Sequence, residues 1–159
     1  MIWRFAHRAG MIDAAAGRSG IGRERTMSGF GLDLIAVVVA AVAAFAFGAV
    51  FYTALGKHWM DAASLTEDSV KKRSAVPFIT SFVALLIMGC VLSWHFGRQG
   101  SDVSTTFALH SSLILWLGFT VTTMATNNAF QQSKAKLTVI DSAHWLGVVV
   151  IEALVISAF

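Results

Sequence analysis

The chain has one cysteine, one proline and one tyrosine in 159 residues. A lone Cys90 excludes an intramolecular disulfide and a cysteine-based metal site, and its expected part is that of a small packing residue. Charge is scarce too, at 13% against about 25% in ordinary globular domains. There is no Gly-x-Ser-x-Gly elbow, no His-Glu-x-x-His zinc motif and no phosphate-cradling glycine loop. Gly-Arg-Ser-Gly-Ile-Gly at 17–22 follows no strand and carries no such meaning. No enzymatic activity and no cofactor are therefore expected.

Apolar residues make up 56% of the chain and mean hydropathy is +0.68. They lie in four long runs. The first three are free of charge, between Asp33 and Lys57, Arg73 and Arg98, and Asp102 and Lys134. The fourth runs from about Thr138 to Phe159 and holds one acid, Glu152. A bilayer core takes about 20 helical residues to cross. Lipid offers the backbone no hydrogen-bond partner, so a span is a helix or part of a closed barrel. Barrel strands alternate over short segments; these runs are long and continuous. The sequence predicts an all-α membrane protein, four transmembrane helices in a small bundle, with spans at about 34–56, 76–96, 107–127 and 138–159. Its first partner is the lipid bilayer.

Residues 1–31 stand apart from the 32–159 transmembrane domain. Five arginines (Arg4, Arg8, Arg18, Arg23, Arg25) sit there with two acids, Asp13 and Glu24. The segment reads either as a basic arm on anionic lipid or as an early start assignment, with Met27 as the true start. Lys and Arg mark cytoplasmic loops when loops are short. With a start at Met27, Lys57, Lys71, Lys72, Arg73, Lys134 and Lys136 oppose Arg98 alone, and both termini face outward. With the arm, the two sides are equal and the rule does not choose between them. The arm also supplies the whole formal excess of +3, so the basic balance does not point to nucleic acid.

Ala36, Ala40, Ala44 and Gly48 follow at i, i+4 spacing along the first span. Small residues let backbones approach closely, so this stripe predicts packing inside the bundle or in a homo-oligomer or membrane partner complex. Phe45, Phe47 and Phe51 would lie off the stripe. Pro77 suits the first turn of the second span. Ser64-Leu65-Thr66-Glu67 has a capping-box pattern and predicts a short helix at 65–74. Tyr52, Trp59 and the Trp94-His95 pair fit an interfacial belt.

Polar residues inside the runs are the candidates for chemistry. Trp116, Thr120, Thr123 and Asn127 are spaced 4, 3 and 4 apart and share a face of an ideal helix; Thr122, Thr126 and Asn128 widen it. In the fourth span, Asp141 and Glu152 point within roughly 20° of each other at about 100° per residue, and His144 lies nearby. An intramembrane acid is expensive unless it pairs, protonates or meets water. Three readings follow. Glu152 is structural, either protonated or hydrogen-bonded to Thr120, Thr123 or Asn127, while Asp141 caps the helix start. Or Glu152 and His144, with Asn127, carry a proton or small solute. Or His95 and His110, flanking the loop between the second and third spans, hold a haem, although no motif supports it.

Phe47-Gly48-Ala49-Val50-Phe51-Tyr52, Gly56-Lys57-His58-Trp59-Met60, Thr126-Asn127-Asn128-Ala129-Phe130 and Ile140-Asp141-Ser142-Ala143-His144 form a recognisable set. On these motifs the chain, from about Leu32 onward, resembles the bacterial four-helix membrane proteins grouped as domain of unknown function 1761. The resemblance implies four spans and a prokaryotic inner cell membrane, crossed several times. It implies no activity, favours Met27 as the start, and directs attention to Asn127 and His144 rather than Glu152.

Overall fold

The computed structural model describes residues 32–71, 74–100 and 103–159. The basic segment 1–31, and with it the choice of start and of orientation, lies outside the described residues. The elements are all helical: α1 (Leu34–Ala62), α2 (Glu67–Lys71), α3 (Val76–Gly97), α4 (Thr105–Leu115), a π-helical turn (Trp116–Val121), α5 (Thr122–Phe130) and α6 (Ala135–Ala158). α4, the π turn and α5 form one continuous rod, the third span. Four helices are thus long and apolar enough to cross a membrane, and the protein is a four-span helical membrane protein.

Local chemistry sets the helix ends. Asp33 caps α1, its carboxylate accepting from the Ala36 N–H at 3.0 Å. Pro77 sits in the first turn of α3, where a missing N–H costs nothing. Ser104 caps α4 by accepting from the Phe107 N–H at 3.2 Å. The helices extend past the runs drawn from charge alone. α1 continues through Lys57 to Ala62, and α6 begins at Ala135. Outside the hydrocarbon a helix no longer has to be apolar, so charge marks the membrane edge and not the helix end. The short connecting helix is α2, not 65–74. Its cap is Thr66, which exchanges hydrogen bonds with Ser69, while Ser64 sits at φ 56° outside it.

α6 is the centre of the bundle, packed against α1, α3 and the third span. It is also the most buried span, and the third span is the least. Two clusters form the core. One gathers Ala36, Ala40, Leu92, Phe96, Ala108, Ala153 and Ile156; the other gathers Ala41, Ala44, Leu85 and Val148. Ala36, Ala40 and Ala44 are fully buried, so the small-residue stripe is spent inside the bundle, against α3 and α6. The aromatic residues beside it find partners: Phe45 meets Phe82 edge-on at 5.6 Å, and Phe47 and Phe51 meet His144.

α1 and α6 also interlock through two glycines. A Cβ at Gly147 would overlap the Phe47 ring, and one at Gly48 would lie 3.0 Å from His144 Nε2. Each helix thus fits a ring over a glycine of the other. On one side of the bundle the Asp33 N–H donates to Ser93 Oγ at 3.1 Å. On the opposite side, Lys134 and Lys136 reach Asp61 at 3.5 and 3.1 Å. Gly147→Ala should lower stability by about 1–3 kcal/mol through overpacking. Gly56→Ala, where nothing lies within 4 Å of the new Cβ, should leave it unchanged or raise it slightly. Thermal unfolding of both variants in detergent checks this contrast.

Candidate functional site

The early start of α6 changes the part played by Asp141. It lies almost two turns inside the helix, so it does not cap it. Its Oδ1 instead accepts from Tyr52 Oη at 3.1 Å and Trp59 Nε1 at 3.0 Å. Tyr52 and Trp59 are seven residues apart on α1, two helical turns, and so share a face. Their rings meet at 71°, 5.5 Å apart. His144, one turn further along α6, lies 4.8 Å from the Tyr52 ring and 5.4 Å from Phe51. It stacks on Phe47 at 12°. Its Nδ1 is enclosed without a hydrogen bond.

Sequence reasoning placed Tyr52 and Trp59 only in an interfacial belt. The missed signal is their register with Gly48, since Gly48, Tyr52 and Trp59 lie 4 and 7 residues apart on the face turned to α6.

Deeper in the bundle, Glu152 is 0% exposed. It lies on the buried face of α6 with Val148, Val149, Ala153 and Ile156. Among the described residues, neither carboxyl oxygen has a hydrogen-bond partner. The expected bonds to Thr120, Thr123 or Asn127 are therefore not made. The main reason is depth: the third span runs antiparallel to α6, with Asn128 at Thr138 and Ala108 near Ala153, so Asn127 lies about 20 Å along α6 from Glu152 at 1.5 Å per residue, and Thr123 and Thr120 lie on the same side of it. The π turn also shifts the residues after it off the α-helical register. Thr123 and Asn127 become exposed, Thr120 is half-buried, and only Trp116 of that line bonds to α6, its Nε1 donating to the Ser142 carbonyl at 3.0 Å. Thr122 donates to the Gly118 carbonyl at 2.7 Å within its own helix. Asn128 turns inward and donates to Thr138 Oγ1 at 2.9 Å.

Two buried serines also escaped sequence reasoning. Ser112 on α4 and Ser142 on α6 are buried, and their hydroxyls have no partner. Both sit in apolar runs where only packing reveals them. The remaining candidates are not gathered together. His95 stacks on Phe107 at 5.9 Å, whereas His110 is exposed. Among the described residues, no group of three His, Cys, Asp or Glu side chains could hold a metal.

Residues 35–157 match the model of a family described as a protein of unknown function, DUF1761. The chain belongs to this family. No curated protein and no solved structure matches it. Three of the four motifs that carry the DUF1761 resemblance thus meet at the α1–α6 interface: Phe47 to Tyr52, Trp59, and Asp141 to His144. The fourth joins α6 beside them through Asn128 and Thr138. Asp141→Ala would leave the Tyr52 and Trp59 donors unmatched, at a cost of about 1–3 kcal/mol. Tyr52→Phe removes one of the two bonds and should cost about 1 kcal/mol. Unfolding midpoints of the two variants should fall in that order.

Proposed function

We propose that this four-span bundle carries a proton, or a small solute coupled to one, along the inward face of α6. The observation that carries this reading is Glu152, an acid wholly enclosed in a membrane bundle with no partner. The facing surfaces offer it no counter-charge: the buried residues of α1, α3 and α4 are Ala, Val, Leu, Gly, Ser and Phe. Intramembrane acids of this kind are costly, and they are characteristic of proton and ion paths. Ser112, Ser142 and His144, each with a buried unpartnered atom, supply further polar positions on α6 and the helix beside it. Asn127, expected in such a path, is on the outer surface and takes no part in it. The setting we propose is the inner membrane of a prokaryotic cell, and no enzymatic activity is ascribed to the chain.

Glu152→Gln keeps the shape of the side chain and removes the ionisable proton. Reconstituted in vesicles with an imposed pH gradient, the parent protein should dissipate the gradient several-fold faster than protein-free vesicles, and the variant should not. Equal flux in the two proteins would sink this reading.

A second reading, as an oligomer or accessory subunit acting by helix packing, draws on a different observation. The stripe on α1 is consumed internally, but Thr123, Thr126 and Asn127 are exposed on the third span, facing what would be lipid. Polar side chains of this type join helices in membranes. In a Cys90→Ser background, Thr126→Cys should form a disulfide-linked dimer, or a crosslink to a membrane protein, under mild oxidation. Monomer alone would count against it.

A further inference from the structure

We propose that Asp141, walled by Tyr52 and Trp59, binds an apolar organic cation, a quaternary ammonium or phosphonium, at the end of the bundle that bears Asp61. The inference deepens the transport reading by naming a solute class, and rests on it only for what happens after binding.

Asp141 lies about 9 Å along α6 from Ala135, at 1.5 Å per residue. An acid at that depth calls for a counter-charge, a proton or water. The nearest cations on its own helix are engaged elsewhere. Lys134 donates to the Asp61 carbonyl at 2.7 Å, and Lys136 to Asp61 Oδ2 at 3.1 Å. Among the described residues, no lysine or arginine pairs with Asp141. Among the described residues its hydrogen bonds fall on Oδ1, and none falls on Oδ2.

The surroundings select the kind of cation. Tyr52 and Trp59 meet at a steep angle, with Phe51 edge-on to Tyr52 at 5.4 Å and the His144 ring 4.8 Å from it. Aromatic faces attract organic ammonium groups through their quadrupoles, and this attraction strengthens where water is excluded. A hard metal ion asks for six or more oxygen ligands, whereas Asp141 is the one carboxylate in this cluster. The two aromatic donors fix the carboxylate in place, so little ordering remains to be done on binding.

The probe is tetraphenylphosphonium, with tetraphenylborate as a control of the same shape and opposite charge. Binding to the purified protein in mild detergent is followed by tryptophan fluorescence and by calorimetry. Saturable binding of the phosphonium alone is expected, weakened about tenfold or more in Asp141→Asn. If Asp141→Asn does not give a folded bundle, Trp59→Ala carries the same expectation. Equal binding of the borate, no saturable binding, or an Asp141→Asn affinity equal to the parent's would overturn the proposal. Recovery of Asp141 crosslinked to a lysine of another membrane protein, in place of cation binding, would overturn it too. Binding needs no transport, so the two readings fail separately. Phosphonium binding lost in Asp141→Asn, with flux unchanged in Glu152→Gln, would remove the proton path and keep the site. The reverse pattern would remove the site and keep the path.

Discussion

Everything in this molecule depends on how closely α1 approaches α6. Lipid tails are as apolar as the helices they surround, so little is gained merely by hiding apolar side chains from them. Close packing has to do the work instead. Ala36, Ala40 and Ala44 present almost no side chain to the interface, and Gly48 and Gly147 present none. Into the space they leave go two rings, His144 from one helix and Phe47 from the other. The same approach brings Tyr52 and Trp59 within hydrogen-bond reach of Asp141. The packing device and the polar site are therefore one construction.

The centrality of α6 follows from the same economy. It carries Asp141, His144 and Glu152, and it touches every other span. Asp141, His144 and Glu152 share its inward side, but they live in different surroundings. Asp141 is half-buried and held by two donors. His144 is packed among aromatic rings. Glu152 is fully buried, and among the described residues neither of its carboxyl oxygens has a hydrogen-bond partner. Three ionisable groups on one helix face thus have three separate chemistries, decided by what the neighbouring helices place opposite them.

Some of this was legible in the residues. The four spans follow from run length, because an interrupted run cannot cross about 30 Å of hydrocarbon. The alanine stripe follows from its spacing, and so does the shared face of Asp141 and Glu152. Other features were not legible. The π turn at Trp116–Val121 has no sequence signature, yet it shifts the face of the residues after it, and Thr123 and Asn127 are exposed. The depth at which the third span meets α6, with Asn128 at Thr138, keeps them far from Glu152. The start of α6 at Ala135 was hidden because Lys134 and Lys136 look like a loop, though they serve to grip Asp61.

The sequence by itself determined that this is a four-span membrane protein, which residues are small enough for helices to meet on, and which polar groups must be accommodated in lipid. Those properties are local, fixed by hydropathy and by helical periodicity. The tertiary structure alone decided which polar groups have partners. It gave Asp141 to Tyr52 and Trp59, gave Asn128 to Thr138, and left Glu152 with none. The bonds to Asp141 join residues 89 and 82 positions apart in the chain. Such a bond depends on the rotation and depth of two helices to within about an ångström. No periodicity along one helix encodes that; only packing against the next one sets it.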